Sequence, residues 1–119
     1  MADMKKFVVM YRVPVETMQE WKKTTSPEEM KKQGEKLGAD MMAWIAKNKA
    51  SIVDNGNPLG KNTRMNSEGA KAVRNDLNYY QVIEAESVDA VVEMLKDNPH
   101  VGMAKEAYLD IMEVPHIGM

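Results

Sequence analysis

The fold of this chain is decided by residues 79–114, which read YYQVIEAESVDAVVEMLKDNPHVGMAKEAYLDIMEV. Tyr79–Ala85 is rich in aromatic and β-branched residues, which predicts a buried strand. Ser87 is a favourable N-cap, and the apolar residues after it recur at helical spacing. A break at 97–101 follows the helix, and Tyr108–Val114 is predicted to be the closing strand. Strand, helix and strand in this order indicate the second half of a ferredoxin-like domain.

The first part of the chain supplies the matching strand, helix and strand. Lys5–Val13 is predicted to be a strand because β-forming residues dominate it. Ser26 as N-cap, Pro27 at the first helical position and Glu29 three residues after the cap predict the start of a long helix. Ala50–Asp54 is then predicted to be a short second strand. The fold class is therefore predicted to be α+β.

The segment between the two halves is predicted to form an extra hairpin. Asn66–Gly69 has the composition of a hairpin turn, and short extended segments flank it. The full prediction is a ferredoxin-like βαββαβ fold with this hairpin added. Gly34 and Gly38 lie inside the long helix, where they indicate close approach to the sheet, room for a ligand, or no special role.

The first strand carries apolar residues on both of its faces, because side chains alternate along a strand. Phe7 and Val9 lie on one face, and Val8 and Met10 lie on the other. The predicted helices can cover only one side of a four-stranded sheet. The simplest cover for the other side is a second copy of the chain, so we expect a homodimer.

The composition limits the class of protein. A chain of 119 residues with one continuous hydrophobic pattern is expected to be a single domain, 1–119. The absence of cysteine excludes disulfides and thiol catalysis and is typical of a cytoplasmic protein. Sixteen basic and eighteen acidic residues are well mixed, without the basic stripe of a nucleic-acid binder. No segment resembles a signal peptide or a membrane span, so no membrane association is expected.

Several segments of the sequence resemble the YCII-related and DGPF-type proteins. They are residues 5–11, 26–30, 57–60, 79–87, 98–101 and 109–114. The resemblance implies a small homodimeric α/β-barrel protein of ferredoxin-like topology, with a ligand cleft between sheet and helices. The sequence departs from the family in two places: Arg74–Leu77 stands where an Asp-Gly-Pro-Phe run is expected, and the first helix lacks the histidine of the His–Asp pair. The resemblance therefore predicts a pocket but no particular reaction.

His100 is the first candidate for catalysis. It follows the second predicted helix, where the helix dipole is expected to favour the imidazolium and raise the histidine pKa. Asn98 could orient this ring or could simply end the helix. Asp110 lies on the last strand between largely apolar neighbours, so it could pair with His100 as an orienting carboxylate or be a solvated carboxylate at the sheet edge.

Three further residues are candidates for ligand binding. Arg12, on an otherwise apolar strand, could hold an anion through two hydrogen bonds or be a solvated strand end. Asp54 ends the second strand, where loops often build sites, although turn chemistry explains it equally well. Tyr79 and Tyr80 point to opposite faces, so at most one of them faces a pocket, and Tyr79 is the candidate.

Three functions are consistent with these residues, and one of them is purely structural, with the dimer itself as the function. The other two involve a small molecule. The first is a homodimeric domain that binds a small anionic or aromatic molecule. The second is a cofactor-free lyase, isomerase or hydrolase that uses His100 as general acid and base. No metal site is expected, because His100 and His116 are sixteen residues apart and no other histidine or cysteine is present.

Overall fold

The computed structural model of the protein describes residues 3–115. A 3-10 turn at Lys49–Ser51 precedes the second strand. The helices and strands are β1 (Lys5–Arg12), α1 (Val15–Thr24), α2 (Pro27–Lys47), β2 (Ile52–Asp54), β3 (Thr63–Asn66), β4 (Gly69–Ala72), β5 (Leu77–Ala85), α3 (Val88–Leu95), α4 (Pro99–Met103) and β6 (Tyr108–Glu113).

Four of the strands form one antiparallel sheet in the order β2-β5-β1-β6. The central strands are therefore β1 and β5, and Val9 lies opposite both Gln81 on β5 and Ile111 on β6. The predicted α+β class is confirmed, and the antiparallel arrangement is compatible with a ferredoxin-like fold.

The long helix begins where the sequence predicts it. The Ser26 side chain accepts a hydrogen bond from the Glu29 backbone N–H at 3.1 Å, and Pro27 occupies the first helical position. α3 has the equivalent cap, because Ser87 accepts from the Ala90 backbone N–H at 3.2 Å. Each cap satisfies a helix N–H that has no partner within the helix.

The hydrophobic core lies between the sheet and the helices. The helices contribute Trp44, Val91 and Leu95 to it, so they cover this face of the sheet, which we call the closed face. The strands contribute Phe7, Val9, Tyr11, Ile83 and Ala85. Trp44 also donates its indole N–H to the Met94 carbonyl at 3.2 Å.

The opposite face of the sheet, which we call the open face, is incompletely buried. Val8, Met10, Tyr80 and Val82 point to this side from the two central strands and are only partly buried. Met112, opposite Val8 on β6, is 44% exposed. Side chains on central strands are normally fully buried when a second layer covers them, so this face lacks a cover in the single chain.

β3 and β4 form a separate two-stranded sheet that projects from the domain. All eight of its residues are exposed, and Arg64 lies directly opposite Lys71. Like charges at directly opposed positions destabilise a strand pair, and an isolated hairpin is only marginally stable in water. The chain as a whole is flat, with extents of 51 × 43 × 20 Å.

The structure corrects three details of the sequence interpretation. α3 ends at Leu95, and Pro99 starts the short helix α4 within the segment predicted to be a break. Only Ile52–Asp54 of the predicted second strand is extended. A Cβ atom on Gly34 or Gly38 would meet nothing within 4 Å in the described chain, so close approach to the sheet does not explain these glycines.

Across residues 3–115, no helix combines the length and the apolar character needed to cross a membrane.

Candidate functional site

A buried network of polar side chains crosses the closed face of the sheet. The Tyr11 hydroxyl donates to Gln81 Oε1 at 2.5 Å and accepts from Asn98 Nδ2 at 2.9 Å. Gln81 Nε2 in turn donates to Asn55 Oδ1 at 2.9 Å. In the described part of the chain, no buried side-chain nitrogen or oxygen lacks a hydrogen-bond partner. A fully satisfied network of this kind fixes the packing of a core at little cost in free energy.

His100 lies at one end of this network and is only 7% exposed. Its Nε2–H donates to the backbone carbonyl of Arg12, with the two atoms 3.0 Å apart. The ring also packs edge-on against Tyr11, with centroids 5.1 Å apart. Both contacts attach the short helix α4 to the end of β1, so they give His100 a structural role.

The expected rise in the His100 pKa is wrong. His100 lies in the first turn of α4, and burial lowers its pKa below the ordinary value of 6.5. Hydrogen bonds to the backbone of Arg12 and Tyr108 act in the opposite direction but do not reverse the shift. Burial disfavours the charged imidazolium, so the ring is neutral at pH 7.

Asn98 holds His100 in place through the backbone. It is the N-cap of α4, and its Oδ1 accepts from the His100 backbone N–H at 2.9 Å. Its Nδ2 donates to Tyr11, as described above. The side chain is buried, and both its amide nitrogen and its amide oxygen are hydrogen-bonded. Asn98 therefore orients the backbone of His100 and not its ring.

A second polar cluster lies on the open face and is built around Arg12. Arg12 Nε donates to Asp110 Oδ2 at 2.7 Å, and Nη1 donates to Asp76 Oδ1 at 2.5 Å. The Tyr108 hydroxyl donates to the other oxygen of Asp76 at 2.7 Å. Hydrogen bonds from Tyr108 and Arg12 lower the pKa of Asp76, and the hydrogen bond to Asp76 raises the pKa of Tyr108.

This geometry changes the roles predicted for Arg12 and Asp110. Asp110 is paired with Arg12, and no hydrogen bond joins it to His100 in the described residues. The predicted His100–Asp110 pair is therefore not formed. The Arg12 guanidinium is held by two carboxylates, which would repel an anionic ligand approaching the same group.

Asp54 and Tyr79 both fasten the loop that follows β2. Asp54 Oδ1 accepts from the backbone N–H of Gly56 at 2.8 Å, and Gly56 has a positive φ of 67°. A Cβ on Gly56 would lie 1.6 Å from the Tyr80 carbonyl oxygen, so only glycine fits this turn. The Tyr79 hydroxyl donates to the Asn55 carbonyl at 2.5 Å.

The six predicted residues therefore fall into separate groups. His100 and Asn98 meet at Tyr11, whose ring also contacts that of Tyr79 edge-on at a centroid distance of 5.3 Å. Arg12 and Asp110 meet on the open face, and Asp54 belongs to the turn at Gly56. His116, considered above as a metal ligand, lies outside the described residues.

Sequence reasoning missed the residues that connect these groups. They are Tyr11, Gln81, Asp76 and Tyr108. The sequence did indicate that Gln81 is buried, because it lies two and four residues before Ile83 and Ala85 and therefore points to the same face of the strand. A polar residue at a core-facing position needs a partner, which directs attention to the opposing side chains.

Cavities of about 730, 720 and 630 Å³ lie at the margins of the domain, and none of the six predicted residues lines them. One of about 720 Å³ lies between α1 and the root of the hairpin, and we call it the α1–hairpin cavity. Another, of about 630 Å³, lies between α1, α2 and α4 and is lined by Trp21, Leu37 and Met103 among others. Core side chains occupy the space between the sheet and α2 and α3.

In comparisons with known proteins, no family model matches this sequence, and no curated protein matches it.

Proposed function

We propose that the protein is a YCII-like binding domain that acts as a homodimer and holds a small anionic or aromatic molecule. The observation that supports this proposal best is the open face of the sheet. Val8, Met10, Tyr80 and Val82 present a contiguous apolar surface there, and its border is charged.

The composition of the open face is that of a protein interface. Its centre is apolar, and charged residues lie at its two ends: Arg12 with Asp76 and Asp110 at one end, and the opposed Lys6 and Glu84 at the other. An apolar centre with a polar rim is typical of interfaces between subunits. A second copy that presents the same face would bury both apolar centres, which supports a dimeric barrel.

The projecting hairpin also favours a dimer. All eight residues of β3 and β4 are exposed in the single chain, and Met65 is 80% exposed. A two-stranded sheet gains stability when a further surface packs against it. In the proposed dimer, the hairpin would gain such a surface by contacting the partner.

The ligand-binding part of the proposal is supported by the cavities at the margins. Their volumes, about 720 and 630 Å³, fall within the range of about 300–1,000 Å³ found for small-molecule sites. In both cavities the apolar part of the wall surface exceeds the polar part, as is usual for such sites.

The catalytic alternative has less support from the geometry. The Nε2–H of His100 is bound to the Arg12 carbonyl, and the ring is buried against Tyr11. A general acid or base must reach the proton that it transfers. Catalysis by His100 would require α4 to move away from β1, so we rank this function second.

A thermal-shift screen against small carboxylates, phenols and lactones tests the binding function. A ligand present at a hundred times its dissociation constant stabilises the folded state by about 2.7 kcal/mol, which gives a clear rise in the unfolding temperature. Sodium chloride at matched ionic strength is the control for general salt effects. We expect at least one compound to give a saturable shift, and no saturable shift across the panel would contradict the proposal.

A further inference from the structure

We propose that the α1–hairpin cavity is the ligand site and that it binds a small organic anion with an apolar body. This inference rests on the proposed binding function and adds both the place and the chemical class of the ligand. None of the residues on which it depends was singled out as a site residue from the sequence.

The walls of this cavity are joined to one another by backbone hydrogen bonds. Leu59 N–H donates to the Asn78 carbonyl at 2.8 Å, and Val73 N–H donates to the Asn62 carbonyl at 3.1 Å. Val13 N–H donates to the Asp76 carbonyl at 2.9 Å, which attaches the end of β1 to the same wall. The segments that line the cavity are therefore joined by backbone hydrogen bonds.

Part of the cavity wall is apolar. Val13 is buried and 2% exposed, and Val15 and Met18 face the cavity from the first turns of α1. Val73 and Leu77 line the hairpin side. α1 contains no fully buried residue, so its apolar side chains at the cavity retain surface that a ligand can cover.

The charged groups of the cavity all have the same sign. Lys22, Lys61 and Arg74 line it, and its lining contains no aspartate or glutamate. Within the described residues, none of the three cations forms an ion pair. Elsewhere on the surface acidic and basic residues are mixed, and the chain as a whole has a net charge of −2.

These cations differ in one important respect from Arg12, the anion-binding candidate predicted from the sequence. Arg12 is neutralised by Asp76 and Asp110, whereas Lys22, Lys61 and Arg74 are available to an incoming anion. Three cations around an apolar surface complement a ligand with one anionic group and a flat or aliphatic body. Gln19 and Asn62 also line the cavity and can hydrogen-bond such a group.

Two fluorescent probes that differ by a single charge test this assignment. One is 8-anilinonaphthalene-1-sulfonate, and the other is its uncharged counterpart, N-phenyl-1-naphthylamine. The test variant is Lys22→Gln/Lys61→Gln/Arg74→Gln, which removes the three cavity cations. The control is Lys31→Gln/Lys32→Gln/Lys105→Gln, which removes the same net charge at exposed positions outside the cavity.

We expect the sulfonate to bind the wild type saturably, with one site per chain. The cavity variant should weaken this binding at least about ten-fold, which corresponds to about 1.4 kcal/mol, and should change binding of the uncharged probe less than about two-fold. The control variant should bind both probes as the wild type does. Arg74→Glu alone, at an exposed loop position, provides a second measurement if the triple variant is unstable, and should also weaken sulfonate binding.

Two results would overturn the assignment. If the cavity and control variants bind the sulfonate equally, the ligand site lies elsewhere, and the proposed binding function is unaffected. If the wild type does not bind the sulfonate saturably, the cavity does not select organic anions. The panel of carboxylates, phenols and lactones then decides separately whether the protein binds any small molecule.

Discussion

The closed and open faces of the sheet are built by the same strands but reach different degrees of burial. On the closed face, Phe7, Val9 and Ile83 are at most 1% exposed. On the open face, the neighbouring Val8, Met10 and Val82 retain accessible surface, and Met112 is 44% exposed. Side chains of similar size and polarity thus form a finished core on one side and an unfinished one on the other.

The polar groups of the two faces differ in the same way. On the closed face, Tyr11, Gln81 and Asn98 are buried and bonded to one another. On the open face, Arg12, Asp76 and Asp110 are partly exposed and lie at the border of the apolar surface. The difference indicates that the closed face was completed within the chain, whereas the open face is suited to completion by a partner.

The largest expected effect comes from truncating one side chain on each face. Ile83→Ala should lower the free energy of unfolding by about 2–5 kcal/mol, because Ile83 is fully buried against the helices. Val82→Ala should cost less, and its cost should depend on protein concentration because dimer formation contributes to stability. Denaturant unfolding at several protein concentrations measures both. If both variants lose the same unfolding free energy at every protein concentration, the two faces do not differ in the way proposed here.

A smaller effect is expected from removing one hydroxyl from each face. Tyr11→Phe leaves the buried Gln81 Oε1 and Asn98 Nδ2 without their hydrogen-bond partner, so the free energy of unfolding should fall by about 1–3 kcal/mol. Tyr80→Phe, on the adjacent strand and the open face, is the matched control and should change it by less than about 0.5 kcal/mol. Urea titration of the two variants distinguishes them. If the order were reversed, the buried network would not be a stabilising element.

The smallest effect is a dependence of stability on pH that belongs to the closed face alone. Because burial lowers the pKa of His100, the unfolded chain takes up a proton first as the pH falls below 6.5. His100 therefore stabilises the fold fully above pH 6.5, and this contribution declines below it, by at most about 1.4 kcal/mol per pH unit. On the open face, the lowered pKa of Asp76 affects the free energy of unfolding only when the pH falls below the ordinary carboxyl value of 3.8.

Comparison of two variants isolates this effect. His100→Gln should flatten the pH dependence of the unfolding free energy between pH 6.5 and 5, whereas His116→Gln should leave the His100 contribution in place. Chemical denaturation at each pH provides the measurement. A slope that survives in His100→Gln would show that another group causes it.

Local features of the fold were predictable from the sequence. The cap formed by Ser26 and Glu29 spans three residues, and the alternation along β1 is visible in neighbouring letters. Both features depend on residues that are close in sequence, within one turn of helix or one strand, so they can be predicted from the sequence. The same periodicity placed apolar residues on both sides of β1, and those on the open face are only partly buried in the single chain.

The site could not be predicted in the same way, because its contacts connect distant parts of the chain. Asp76 and Asp110 reach Arg12 across 64 and 98 residues, and His100 reaches the same strand across 88. The sequence interpretation singled out Arg12, Asp110 and His100 and considered a pair between Asp110 and His100, whereas the structure pairs Asp110 with Arg12. The pKa of His100 was also misjudged, because burial depends on the packing of α4 against β1 and not on local sequence.

The central claim, that the open face is a dimer interface, is tested most directly by light scattering coupled to gel filtration. The account predicts a mass of about twice the 13.4 kDa of one chain for the wild type. Val8→Lys places a charge in the middle of the open face and should give a folded monomer of 13.4 kDa, while Met42→Lys, at a position 73% exposed on α2, should remain dimeric. A monomeric wild type at every concentration, or a Val8→Lys variant that stays dimeric, would contradict it.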